Sequence, residues 1–360
     1  MSKSFSAQSA YPSPSTSYPR APTLLEMNRT LSAMSAEWHT SEVCLVCGSR
    51  RIGEFAVIRY FRHSRCSDCG LTFVNPAPPP EILHAFYNSA SYSNYRRAEN
   101  DRARTNPYYS ISMYTDERSL AKRVISRKPQ SVLDYGCGTG AFLALLRDEY
   151  GVAKVEGLEI SELAREVAMN RHSLDVACSP RELHQKVYDF VLLLEVIEHV
   201  ADPMEFFASV SEHVPTGGYV MITTPAVDNF IGRRAQICTH YTAPSHLTLF
   251  TTKALQILLD RSGFEEVETT IDRPWSLARA LTTSLLCRLD FASPMNEDDL
   301  NDAWYRPDSL GRIMGLQAGR DPLLNHRFFW FLRKAAGGAD RILRRLPLGN
   351  DHLYVVARRK

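Results

Sequence analysis

The chain has 360 residues, room for one large domain and one small one, and its apolar fraction of 44% is ordinary for a globular protein. Forty-two basic against 40 acidic side chains leave a net charge of +2, so nothing global demands a nucleic-acid partner. No apolar run reaches the roughly eighteen residues of a spanning helix.

Residues 1–40 open with MSKSFSAQSAYPSPSTSYPR, rich in Ser, Pro and Tyr and without an acid before Glu26. Such a composition cannot build a core, and a disordered tail is expected. It has neither the apolar run of a secretory signal nor the arginine content of a transit peptide.

Residues 41–79 carry two C-x2-C pairs, Cys44/Cys47 and Cys66/Cys69, with 18 residues between them. This spacing reads as a four-thiolate zinc site of the ribbon type; the alternatives are unrelated thiols or two disulfides. Gly48 and Gly70 follow the pairs and let each knuckle turn tightly. Residues 53–62 alternate like a hairpin strand, and residues 71–76 supply another. The unit is too short for a core of its own, so metal binding would provide most of its folding free energy. Four cysteines leave no open coordination position, so the zinc is expected to be structural. The remaining thiols, Cys137, Cys178, Cys238 and Cys287, show no pairing pattern. A reducing, cytoplasmic location fits them.

Residues 80–130 read as a linker and helical lid. Pro76 to Pro80 form a stiff spacer. Residues 81–89 form an amphipathic helix, residues 91–100 a polar, aromatic segment able to order over a ligand, and residues 117–126 a second helix.

The domain expected over residues 131–360 begins with VLDYGCGTGAF, Val132 to Phe142. It reads as a buried strand, a glycine turn through Gly136, Gly138 and Gly140 with Cys137 inside it, and the start of a helix. The glycines alone also satisfy a loose dinucleotide fingerprint. Asp134 discriminates, because a carboxylate just before the turn would repel a pyrophosphate. It suits a ligand that joins an ammonium and a sulfonium to a carboxylate. About twenty residues on, the strand of KVEGLEIS ends in Glu159, an acceptor for two ribose hydroxyls, with Ile160 beside it to cover an adenine face. YDFVLLLEVIEHVADP follows: an apolar run for a strand buried on both faces, then Glu195, Glu198 and His199, then Asp202-Pro203 opening a helix. Residues 217–225 give another buried strand, residues 246–268 a helix and a strand, and residues 351–359 the last strand.

The stretch from Val132 resembles motif I of the class I S-adenosylmethionine-dependent methyltransferases. The order and spacing of the later segments resemble that whole domain, over roughly residues 110 to 360. The resemblance implies an α/β, Rossmann-like, doubly wound seven-stranded sheet whose last strand is antiparallel, preceded here by the small zinc ribbon. It implies S-adenosylmethionine held by Asp134, Gly136, Cys137, Gly138, Gly140, Glu159, Ile160 and Glu195. One departure stands out: no acid occupies the usual adenine-facing position after the third strand, in VACSPRELH, where Cys178 or Ser179 would have to serve.

Methyl transfer from a sulfonium needs a positioned acceptor and, in many cases, a base. His199, His246 and Glu195 are the candidate catalytic residues. E-x-x-E-H also resembles the magnesium motif of small-RNA 2′-O-methyltransferases and ubiquinone-biosynthesis O-methyltransferases. That resemblance implies a second metal site from Glu195, Glu198, His199 and His246. Many other members carry the same residues without a metal. No Asn/Asp-Pro-Pro-Tyr follows the fourth strand and no Pro-Cys the fifth, which argues against adenine or glutamine N-methylation and against cytosine C5 chemistry.

Residues 273–350 read as an insertion before the last strand. Its segment 327–346 interleaves aromatics and arginines, which suits an amphipathic packed helix or a membrane-surface contact. The expected function is methylation of an O or C atom of a small molecule such as a sugar, quinone or secondary metabolite. The pairing of ribbon and domain resembles deoxysugar C-methyltransferases. The alternatives are an RNA methyltransferase that grips RNA with its ribbon, which the near-neutral charge opposes, and a non-catalytic scaffold. Oligomeric state is not encoded in any recognisable pattern.

Overall fold

The computed structural model of the chain describes residues 30–89 apart from 32 and 59, 117–228, 244–274 and 350–360. The segment expected as a lid at 91–100, the insertion between 275 and 349 with its segment 327–346, most of the expected tail, and Cys238 and Cys287 lie outside the described residues.

The N-terminal unit starts before residue 41. A 3-10 turn covers Ser35–Glu37, Trp38 is buried and stacks on Phe61, and His39 bridges Ala77. The buried tryptophan and the His39 bridge hold this end of the chain, which composition alone assigns to the tail. The expected strand 53–62 is divided in two. β1 (Ile52–Ile58) turns at Tyr60, whose φ of 76° is left-handed, into β2 (Phe61–Cys66), and β3 (Thr72–Val74) follows. All pair antiparallel.

Helix α1 (Pro80–Tyr87) has proline in its first turn and buries Phe86 and Tyr87. Helix α2 (Glu117–Ile125) leads into the large sheet. Its first three strands are β4 (Ser131–Tyr135), β5 (Lys154–Leu158) and the two-residue β6 (Val176–Ala177), separated by α3 (Ala141–Asp148) and α4 (Glu162–His172). Then come β7 (Phe190–Leu194), α5 (Pro203–Ser211) and β8 (Tyr219–Pro225). Asp202 caps α5, accepting from the amides of Met204 and Glu205 at 2.9 and 3.0 Å.

A two-residue strand not anticipated from the sequence, β9 (Thr248–Leu249), comes before α6 (Thr252–Arg261), β10 (Phe264–Pro274) and β11 (Asn350–Arg359).

The seven-stranded sheet has the order β10-β11-β8-β7-β4-β5-β6. β4 to β8 run parallel, and β11 lies antiparallel between β8 and β10. The order reverses between β4 and β7, and open α/β sheets bind ligands outside the carboxyl ends of strands at such a point. β7 is buried along its apolar run because layers cover both faces. β9 does not join this sheet. It pairs with β3 to make a four-stranded sheet, β1-β2-β3-β9, and Phe73 and Leu71 share one core with Phe250 and Leu255.

Candidate functional site

At the carboxyl end of β4 the chain turns through Gly136, Gly138 and Gly140, with φ of 94°, 55° and 75°. The amides of Gly136 and Cys137 both donate to the Leu158 carbonyl, at 2.7 and 3.0 Å, which ties the turn to β5. A Cβ on Gly136 would stand 2.6 Å from Val196 Cγ2, and one on Gly140 2.5 Å from Leu174 Cδ1. Gly157 was not singled out in the sequence, yet a Cβ there would meet Cys137 Sγ at 2.6 Å. It lets the turn lie on β5. Burial first, then the charges of Asp134 and Glu159, push the Cys137 thiol up, so it stays protonated.

Glu159 stands one residue past β5. Its Oε2 accepts from the Gly138 amide at 2.9 Å and its Oε1 from the Ser161 amide at 2.7 Å. Each oxygen keeps a further acceptor direction. Ile160, beside it, is 44% exposed, unusual for an isoleucine next to a core strand. Asp134 is buried, and its Oδ1 has no hydrogen-bond partner. Burial, with the Glu159 charge in second place, raises its carboxyl to about 7. A buried carboxylate without a partner is costly, and a cationic ligand relieves that cost. These features fit S-adenosylmethionine: a cradle without side chains, a two-oxygen acceptor and an uncompensated acid.

An acid does stand three to four residues past Cys178 and Ser179. Glu182 closes a 3-10 turn past β6 and folds back, accepting from the amide and thiol of Cys178, each at 3.0 Å, and from the Ser179 hydroxyl at 3.3 Å. Position-by-position reading misses it because a 3-10 turn shortens the path in space.

Past β7 the E-x-x-E-H residues split. Glu195 is left-handed, with φ 57°, and its amide donates to the carbonyl and hydroxyl of Thr223 at 3.0 and 3.1 Å. Its Oε2 lies 3.2 Å from His352 Nε2. Burial alone would raise this carboxyl, but the His352 charge and hydrogen bond, the Thr223 bond and His246 outweigh it and hold it at about 2.

His352 was read only as part of a strand. It sits here because antiparallel β11 begins where parallel β8 ends, with His352 opposite Pro225.

Glu198 is fully buried, accepts from Thr224 Oγ1 at 3.0 Å, and leaves Oε1 without a partner. Burial and then Glu195 raise it well above the ordinary carboxylate value. His199 Nε2 lies 4.0 Å from Glu198 Oε1. The rings of His199 and His246 meet edge-on with centroids 4.8 Å apart. Glu198, His199 and His246 each offer a ligand atom within 4.8 Å of the others; Glu195 is not in this group.

His199 Nδ1 lies 2.6 Å from the Ser245 carbonyl. A carbonyl only accepts, so Nδ1 carries the proton, and in the neutral ring the lone pair is on Nε2. The Tyr87 hydroxyl donates to the same carbonyl at 3.3 Å, and its ring stands edge-on to His199 at 6.2 Å.

The four cysteines of the N-terminal unit converge. Cys44 Sγ lies 3.5 Å from Cys69 Sγ, and Cys47 Sγ 3.6 Å from Cys66 Sγ. Bonded sulfurs would be about 2.05 Å apart. A tetrahedral site with Zn–S near 2.3 Å needs about 3.8 Å between sulfurs. Gly48 and Gly70, at φ 73° and 78°, close matching turns by donating to the Cys44 and Cys66 carbonyls, both at 3.0 Å. The donor set and spacing fit zinc.

Residues 112–269 match the family model described as a methyltransferase domain. A ubiquinone biosynthesis O-methyltransferase from Shewanella sp. (strain ANA-3) is 35% identical over 105 residues, 26% of this chain and 43% of that protein. A tRNA U34 carboxymethyltransferase from Alteromonas mediterranea is 28% identical over 198 residues, 48% of this chain and 57% of that protein. Among solved structures, a SAM-dependent methyltransferase from Archaeoglobus fulgidus overlays with a TM-score of 0.41 at 16% identity, over 71% of this chain and all of that one. The chain spans about half the length of the curated relatives it matches. No helix among the described residues is long and apolar enough to cross a membrane. The match over residues 112–269 to a methyltransferase-domain model and the doubly wound strand order agree with the fold expected from the sequence.

Proposed function

We propose that the protein transfers a methyl group to an oxygen or carbon atom of a small-molecule acceptor. S-adenosylmethionine, when bound, supplies an electrophilic methyl on a sulfonium. Glu159 accepts the ribose hydroxyls, Ile160 covers the adenine, Glu182 faces its amino group, and Asp134 meets the ammonium. The acceptor enters on the other side of the β4/β7 reversal, where His199 and His246 face each other.

The observation that carries the reading is the state of His199. Its Nδ1 proton is committed to the Ser245 carbonyl, which makes Nε2 the basic nitrogen that would take a proton from an acceptor hydroxyl. The compact Glu198, His199 and His246 group supports a second reading, a divalent ion held by one carboxylate and two imidazoles. The Cys44, Cys47, Cys66 and Cys69 unit holds structural zinc in this proposal, and free, reduced thiols suit a cytoplasmic setting.

The test is transfer of labelled methyl from S-adenosylmethionine to a panel of small hydroxylated acceptors, quinols and sugar nucleotides, with bulk RNA in parallel. Label entering RNA alone would overturn the small-molecule reading.

A further inference from the structure

The four-cysteine unit and the acceptor side share a strand. β9 belongs by sequence to the methyltransferase domain, yet its sheet partner is β3 of the cysteine unit, with Thr72 opposite Leu249 and Phe73 opposite Thr248. The seam continues in both directions. The Val74 amide donates to the Leu247 carbonyl at 2.8 Å. The Thr251 hydroxyl donates to the carbonyl of Cys69, one of the four thiol residues, at 2.5 Å. His246 and Ser245 directly precede this seam, and Ser245 supplies the carbonyl that fixes His199.

The cofactor turn has other supports. Gly136 and Cys137 bond to Leu158, and Gly138 bonds to Glu159, all within the β4–β5 half of the sheet.

We infer that the four-cysteine unit is the positioning element of the acceptor side. By holding β9 it sets His246 and the Ser245 carbonyl, and through that carbonyl the orientation of His199. The inference rests on the reading that the four thiols bind zinc. A two-residue strand has too few hydrogen bonds to stand alone, and a unit this small depends on its metal to fold. On the domain side the segment is held by the Leu247 amide on the Glu198 carbonyl at 2.7 Å, the Thr248 hydroxyl on the Ile197 carbonyl at 3.0 Å and the Val227 amide on the Phe250 carbonyl at 3.1 Å, and Tyr87 of α1 donates to the Ser245 carbonyl at 3.3 Å. The first two anchors are on the 3-10 turn that carries His199 itself, and β3 adds a support from the cysteine unit. Loss of zinc should therefore disorder the histidine pair and spare the cofactor turn.

The experiment uses the full chain with 15N-labelled histidine. The His199 ring signals are assigned with His199→Gln, and zinc is removed with an organomercurial and chelator and then restored. Metal analysis comes first: a chain that never holds zinc defeats the zinc reading, and this inference with it.

In a zinc-loaded chain, His199 should show a protonated, slowly exchanging Nδ1. Stripping should speed exchange of that proton at least tenfold and mix the tautomers, while S-adenosylhomocysteine affinity stays within twofold. Zinc return should restore the signal. An unchanged His199 signal in the stripped chain overturns the inference and leaves the zinc reading intact. Loss of cofactor binding together with the signal also overturns it, since the unit would then support the whole domain. If the stripped chain precipitates, the same signal is read in Thr251→Val, which keeps all four thiols, and in Thr251→Ser. Faster exchange in the first and rescue in the second support the inference; no change in Thr251→Val overturns it.

Discussion

Asp134→Asn separates stability from ligand binding. The wild-type carboxyl is buried and raised from 3.8 to about 7 in the folded chain. A raised acid means that the folded state binds more protons than the unfolded state between these values. Stability therefore falls as pH rises from about 4 to about 7 and levels off above. A shift of about three units corresponds to at most about 4 kcal/mol of penalty once the group is ionised. Asparagine has the same shape and no charge, so the variant should be more stable than wild type by a margin that grows across this window. The margin between pH 5.5 and 8 should be about 2 kcal/mol.

The variant should also bind S-adenosylhomocysteine more weakly at pH 8, by about 1.5–3 kcal/mol for a lost charged hydrogen bond. Denaturant unfolding at the two pH values and calorimetric titration check both halves. A stability margin that does not change with pH, or unchanged ligand affinity, would refute the argument that Asp134 is an uncompensated acid held for a cation.

Glu159→Ala removes both the ribose acceptor and the clamp on Gly138, and should cost about 1.5–3 kcal/mol of cofactor affinity. Gly138→Val should block binding, because φ 55° and close approach both disfavour a branched side chain; calorimetry reads each. Purified protein should contain about one zinc per chain by metal analysis, and Cys66→Ser should lose it. His199→Ala and His246→Ala should each lower turnover about 10²–10⁴-fold with cofactor affinity kept. If the divalent-ion reading holds, chelation should abolish activity and added magnesium or manganese restore it; activity that survives chelation leaves the base reading.

Much of the cofactor half was legible because its chemistry is local. Motif I, Glu159 and Ile160 lie at strand ends that periodicity reveals, and the two cysteine pairs declare themselves by spacing. The parts that were not legible come from contacts between distant segments. Tyr87, Ser245 and His352 meet the E-x-x-E-H segment through topology, and no local pattern marks them. β9 is two residues long, too short for any alternation to show. Glu182 was hidden by a 3-10 turn, and Gly157 by the fact that its reason is another residue's sulfur. The hairpin at Tyr60 was read through because a tyrosine carries no turn signal.

E-x-x-E-H looks like one constellation in sequence and is two in space. Glu195 and Glu198 are three residues apart, and on a regular helix both would share a face. A left-handed Glu195 and a single 3-10 turn over Ile197–His199 prevent that. One acid turns to His352 and ionises; the other turns into the core, takes the Thr224 hydroxyl and holds its proton more tightly than an ordinary carboxyl. Two carboxyls whose environments push their protonation apart serve different tasks. Glu195, charged and part-exposed beside the β4/β7 reversal, suits a cationic or hydroxylic ligand. Burial raises the cost of a charge on Glu198, and a divalent ion would offset that cost more strongly than the His199 imidazole at 4.0 Å. Glu198→Gln is therefore the substitution that separates the two readings of the histidine pair. It should leave a histidine base working, and it should abolish any metal dependence.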